Sequence, residues 1–271
     1  MKGLYRNLPM SRYLGHPSLA RSGLIQFQER LGERKKRKKK DTDAKTLGTL
    51  CHTASLEPEL LDRVVAMPET KPKTGKKFIK RGKDWDEFKA ENKGKEIITA
   101  HQYETMHRVY DSVFNDPDHR EAAEFLTGGD NEVSGFYEYE LETGQIVKLK
   151  CRPDVLKPGV VVNLKTTADA TKAFQQRHFY DLCYHWSLFF ELEGLTAITG
   201  KRHNTYKFVC VETTDPYEVA VYELAHEYRK IARREILPAL ETYVEMKERG
   251  EAPCYPRGTQ ILYPPKHARI K

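Results

Sequence analysis

The sequence predicts an α/β fold, a single domain with a central β-sheet flanked by helices, and three observations carry that expectation. A length of 271 residues is long for one average domain and short for two. Segments with the alternating period of strands cluster in the middle of the chain, with helical periods before and after them. Among those strands Val160, Val161 and Val162 form a continuous apolar run, the mark of a strand buried on both faces of a sheet.

The region up to about residue 67 reads as short helices at 19–31 and 47–67, the second divided by Pro58, whose ring cannot continue a helix. Thr99 and Gln102 have capping-box spacing and open a helix in which Tyr103, Met106, Tyr110 and Val113 share one face. It stops at Asn115 to Pro117, and a further short helix ends at Leu126 before the glycine break at Gly128. Residues 133–141 and 145–152 then alternate around a turn at Thr143 and Gly144, which predicts a hairpin. In its second strand Val147, Leu149 and Cys151 face one way and Lys148, Lys150 and Arg152 the other. Beyond the valine run, Asp169 or Thr171 caps a long helix carrying Phe174, Tyr180, Tyr184 and Leu188. Residues 205–212 and 218–222 are further strands, and a last helix spans about 224–249 with Pro238 inside it as a kink. The proline-rich tail, 250–271, reads as irregular.

Composition narrows the class. Hydrophobic residues make up 39% of the chain, enough for a real core, while 31% charged residues and a mean hydropathy of −0.70 imply a wet surface. No apolar run approaches the roughly 18 residues of a membrane helix, and MKGLYRNLPMSRYLG lacks the apolar stretch of a secretory signal. The chain is therefore expected to stay in the cytoplasm where it is made. Its cysteines, Cys51, Cys151, Cys183, Cys210 and Cys254, are scattered and never in a CxxC pair, which argues against a disulfide framework, a zinc finger or an iron–sulfur cluster. The net charge is +7, and Arg34, Lys35, Lys36, Arg37, Lys38, Lys39 and Lys40 supply seven positive charges in one block, so the rest of the chain is balanced. This basic loop or arm, 33–45, is either a solvated linker, a localisation signal or a phosphate-binding patch. A second lysine-rich loop, 70–95, containing KPKTGKKFIKRGK, tilts the reading toward nucleic acid.

Chemistry concentrates in CRPDVLKPGVVVNLKTT. Asp154 follows a proline at the end of one strand, and Asn163 and Lys165, two apart on the next, project to the same face while Leu164 points to the other. If the two strands pair, Asp154 comes alongside, giving an acid, a second oxygen and a lysine on one face of a central sheet. Such a set suits Mg²⁺-dependent phosphodiester hydrolysis, in which carboxylates hold the cation and the lysine orients water and offsets charge on the phosphate. Taken singly, each residue has a plainer reading: His52 as a buried histidine, Asp154 as a turn former, Lys165 as a strand-end charge.

The pattern RPD, a short gap and then x-x-Lys-Thr-Thr resembles the PD-(D/E)xK nuclease superfamily, most closely its exonuclease VIII (RecE-type) branch of phage recombination nucleases. LGTLCHTASLEPELL around His52, EIITAHQYETM and FYDLCYHWSLFF resemble further blocks of that family in order and spacing, over roughly residues 47–195. The resemblance implies a restriction-endonuclease-like central mixed β-sheet flanked by helices. It also implies a Mg²⁺-dependent exonuclease, with Mn²⁺ as a substitute, acting 5′ to 3′ on duplex DNA ends in a bacterial host cell. Carried over residue by residue, the catalytic group is Lys165, Asp154, Asn163 and His52, and the metal set is Asp154, Asn163, the Leu164 carbonyl, Glu132 and His52. DNA contacts fall on the Arg34 to Lys40 block, Arg152 and Thr166. Expected partners are a single-strand annealing protein and further copies of the chain in a ring-like oligomer.

Two positions depart from the family. Its second metal-binding acid is Asn163 here, and its Gln-x-x-x-Tyr is Ser187 and Glu191. An amide keeps a hard oxygen but loses the charge, so the metal is expected to bind weakly and Asn163→Asp to strengthen the site. Two readings follow: an exonuclease impaired at position 163, or a DNA-binding clamp that keeps the fold without the chemistry. An endonuclease is a third.

Overall fold

The run Val160, Val161 and Val162 lies in the middle strand of a five-stranded mixed sheet. The computed structural model describes residues 1–31, 42–71, 74–252, 254–255, 258–259 and 261–262. The N-terminal half comprises β1 (Gly3–Tyr5), α1 (Met10–Gly15), α2 (Arg21–Leu31), α3 (Thr42–Leu56), a 3₁₀ turn (Pro58–Arg63), β2 (Val64–Ala66), α4 (Lys83–Glu91), β3 (Glu96–Ile98), α5 (Ala100–Phe114) and α6 (Arg120–Leu126). It is followed by β4 (Asp130–Asn131), β5 (Ser134–Glu140), β6 (Ile146–Cys151), β7 (Val155–Lys157), β8 (Val160–Thr167), α7 (Lys172–Asp181), α8 (Gly194–Thr199), β9 (Thr205–Glu212), β10 (Val219–Glu223) and α9 (Glu227–Glu248).

The sheet runs β10-β9-β8-β7-β4, with β8 parallel to β9 and every other pair antiparallel. Both faces are covered, which is why β8 and β9 read as continuous apolar runs rather than alternating ones. Val162, Leu164, Val209 and Val211 pack with Leu50, Cys51, Met106, Val109 and Leu126 from α3, α5 and α6. Val161, Tyr206, Phe208 and Cys210 pack on the opposite side with Trp186, Phe189, Ile236 and Leu240. Asn163 and Lys165 fall on this second face, where the pattern calls for apolar residues, and they mark the site.

The capping box is present: Gln102 N–H donates to Thr99 Oγ1 at 3.1 Å and Thr99 N–H to Gln102 Oε1 at 2.9 Å. Several expectations need correction. The hairpin β5–β6 does not join the central sheet; it pairs with β1 in a separate three-stranded sheet. Pro153 has no N–H to carry the ladder on, so the short strand β7, not β6, lies against β8. Residues 64–66 form strand β2 rather than continuing a helix. Within the loop expected at 70–95, α4 forms, with Asp84 and Asp86 in its first turn complementing the helix dipole. The basic stretch expected at 33–45 lies outside the described residues as far as 41, and 42–45 belong to α3. On α5 the buried stripe is Thr105, Met106, Val109 and Val113, while Tyr103 and Tyr110 stay exposed, packed on His107 and Phe114 at the surface.

The largest departure concerns the long helix expected beyond Thr171. It ends at Asp181; Cys183 adopts a left-handed conformation (φ 54°), a 3₁₀ turn spans Tyr184–Trp186, and a π-helical turn spans Leu188–Glu193 before α8. His185, Trp186, Leu188, Phe189 and Phe190 are all buried, so a single 3.6-residue stripe cannot serve them, and re-phasing the backbone does. Among the described residues no helix is long and apolar enough to cross a membrane.

Candidate metal centre

Asp154 is the first residue after the hairpin to meet β8. Its N–H donates to Asn163 Oδ1 at 2.8 Å, and its Oδ2 accepts from Leu164 N–H at 2.7 Å and from Lys165 Nζ at 3.4 Å. Lys165 Nζ also donates to the Leu164 carbonyl at 2.7 Å, so that oxygen, expected as a metal ligand, carries the lysine. From α3, His52 brings Nδ1 to 3.5 Å from Asp154 Oδ2. Gly48, one turn earlier, makes that approach feasible, since a Cβ there would lie 3.2 Å from Thr166 Oγ1.

Glu132 enters from the other side. Its backbone is left-handed (φ 51°), a conformation non-glycine residues rarely adopt, and its N–H donates to the Asp154 carbonyl at 2.9 Å. Arg152 Nε donates to Glu132 Oε2 at 2.6 Å, and Arg152 Nη1 donates to the Leu8 carbonyl at 2.8 Å and Ser134 Oγ at 2.9 Å. With its side chain only 7% exposed, Arg152 stands in the wall of the cleft, where it aims Glu132. One ligand atom from each of His52, Glu132 and Asp154 lies within 4.8 Å of the others. Two carboxylates and an imidazole form a donor set that fits a hard or borderline divalent cation such as Mg²⁺ or Mn²⁺. Burial, together with the Asp154 charge, raises the Glu132 carboxyl to about 7 against the pull of Arg152. Burial lowers the His52 pKa, with Lys165 adding to the effect and Asp154 opposing it, which favours the neutral, ligating imidazole.

Asn163 is 5% exposed; its Oδ1 accepts the Asp154 N–H and its Nδ2 turns inward to Glu191 and Tyr206. Glu191 is buried, which raises its pKa, with the Tyr206 hydroxyl opposing. An acid inside the apolar run LFFEL is the available sequence signal. Tyr184, which helical periodicity assigns to a packing face, lines the cleft with Lys165 Nζ 6.0 Å and, over the same ring, Arg21 Cζ 5.1 Å from its centroid. The cleft, about 560 Å³, is walled by α3 (Lys45, Thr49, His52), by Thr166 and by Met10, Tyr13 and Leu14 of α1. No sequence pattern announces α1. It is held there by Lys150, whose buried ammonium donates to the carbonyls of Tyr13, Leu14 and His16 at 2.7, 3.3 and 2.8 Å. The block Arg34 to Lys40 lies outside the described residues.

The sequence matches the family model of a PDDEXK-like domain of unknown function (DUF3799) over residues 25–262. No curated protein matches it. Among solved structures, one from Eubacterium rectale, designated a candidate exonuclease, aligns with a TM-score of 0.61 and 15% identity over 96% of each chain. A structure of the protein SSO0001 aligns with a TM-score of only 0.30 and 14% identity over 83% of this chain and 84% of that one. The first match bears out the mixed sheet with helices on both faces.

Proposed function

The chain belongs to the PDDEXK-like domain family, and from that premise we propose that it is a divalent-metal-dependent nuclease that digests linear duplex DNA from its ends. The observation that carries this reading is the convergence of His52, Glu132 and Asp154 beside the Lys165 ammonium in one open cleft. The exonuclease designation of the Eubacterium rectale protein supports the same reaction class.

In this reading His52, Glu132 and Asp154 hold Mg²⁺ or Mn²⁺, which when bound supplies a Lewis acid for the phosphodiester and for water. Lys165, fixed by the Leu164 carbonyl and by Asp154, presents its ammonium to the scissile phosphate and offsets charge that grows in the transition state. Arg152 keeps Glu132 aimed into the cleft, and Tyr184 and α1 confine the substrate end. The finer assignments, a RecE-type enzyme with 5′ to 3′ polarity working in phage-type recombination beside a single-strand annealing protein, as a homo-oligomer in the bacterial cytoplasm, rest on the motif resemblance.

Incubation of the protein with end-labelled linear duplex and with covalently closed circles, in Mg²⁺ or Mn²⁺, tests the reading. Linear DNA is digested and circles persist; Asp154→Ala and Lys165→Ala each lower the single-turnover rate by about 100-fold or more while leaving duplex binding. Duplex binding without cleavage in either metal favours the non-catalytic clamp, and nicking of circles favours an endonuclease.

A further inference from the structure

We propose that Asn163 and Glu191 form one interdependent pair, in which Glu191 is a positioning residue that orients the Asn163 amide and Asn163 in turn holds Asp154. Asn163 Nδ2 donates to Glu191 Oε2 at 3.3 Å and to the Tyr206 hydroxyl, which itself donates to the same Glu191 oxygen at 2.7 Å. The nitrogen end of the amide thereby faces two oxygens, and the opposite end, Oδ1, accepts from Asp154 N–H. The chain Tyr206, Glu191, Asn163, Asp154 runs from the protein interior to the candidate metal centre, and each member is buried.

The amide fits this arrangement, with its nitrogen end toward two oxygens and its oxygen toward an N–H. An aspartate at 163 brings an acceptor where a donor is needed and sets two carboxylates in contact inside the protein, beside a phenol whose hydrogen is already committed. The π-helical turn Leu188–Glu193 is the backbone device that delivers Glu191 to this point, and such turns recur at functional sites. In this arrangement the Asn163 amide has a positioning task of its own, between Glu191 and Asp154. The strengthening expected of Asn163→Asp from sequence alone is replaced by its opposite.

The inference rests on the metal-centre reading for its functional consequence but not for its test. Asn163→Asp, Glu191→Gln and the reciprocal double variant are compared by thermal unfolding in metal-free buffer and by Mn²⁺ titration calorimetry. Asn163→Asp lowers the melting temperature by about 5 °C or more, and it weakens Mn²⁺ binding about 10-fold because Asp154 loses its orientation. The double variant, with carboxylate and amide exchanged, recovers most of both losses. A stable Asn163→Asp protein that binds Mn²⁺ more tightly than the parent, or strictly additive effects in the double variant, overturns the pairing. Cleavage is scored separately: an inactive parent protein removes the nuclease reading and leaves the pairing to be decided by melting temperature and Mn²⁺ affinity.

Discussion

Glu132 combines a left-handed backbone, a buried carboxyl and a guanidinium partner within one residue, and its titration is the most direct probe of the site. Its pKa in the folded protein, about 7, lies above the 4.5 of an ordinary glutamate. Between those values the folded state binds more protons than the unfolded one, so the contribution of Glu132 to stability is full below pH 4.5 and is lost as pH rises through 7. For the metal-free protein the loss is on the order of 3 kcal/mol. Divalent cation reverses the trend near and above pH 7, because it takes the deprotonated carboxylate. Melting curves from about pH 5 to 8 for the wild type and Glu132→Gln, with and without Mn²⁺, check this; parallel metal-free curves for the two proteins contradict it. Glu132 is legible in the sequence as a nearby acid by resemblance, but its aim by Arg152 is not, since lysines and arginines alternating on a strand read as a solvated face.

At the level of elements, α9 is tied to the broken helical segment by one carboxylate. Glu235 accepts from Tyr180 Oη at 3.0 Å, from His185 Nε2 at 2.9 Å and from Trp186 Nε1 at 2.8 Å. Burial alone would raise its pKa, but these donors hold it down to about 2. The stability it contributes is present above pH 4.5 and lost as pH falls toward 2. Glu235→Ala strands the indole and imidazole donors and costs about 2 to 4 kcal/mol at neutral pH. Urea unfolding at neutral pH measures that cost, and the gap between wild type and Glu235→Gln narrows between pH 4.5 and 2. Elements governed by local pattern, such as β8, β9 and the Thr99 cap, are legible in the sequence to within a residue or two. The π-turn is not, because full burial on every side erases the periodicity that marks a helix face.

Over the whole molecule, the charge excess resides in one block, Arg34 to Lys40, that precedes α3 and so precedes His52 in the chain. Replacing the block with Ser and Gly is expected to lower duplex affinity at low salt without changing the melting temperature. The slope of log affinity against log salt becomes shallower by about 0.9 for each phosphate that the protein no longer neutralises. Fluorescence anisotropy on a labelled duplex from about 50 to 300 mM salt, the range where such slopes are read, measures it. An unchanged slope leaves the block a linker.

By itself the sequence determined the apolar runs of the central strands and the shared face of Asn163 and Lys165. Both follow from strand patterning that is local and visible in a string. Tertiary structure alone decided that β7 rather than β6 meets β8, that Arg152 serves Glu132, that α1 walls the cleft, and that Glu191 faces Asn163 across 28 residues of chain. These depend on which buried polar groups find partners once both faces of the sheet are covered. That pairing is set by packing and desolvation, and no periodicity records it.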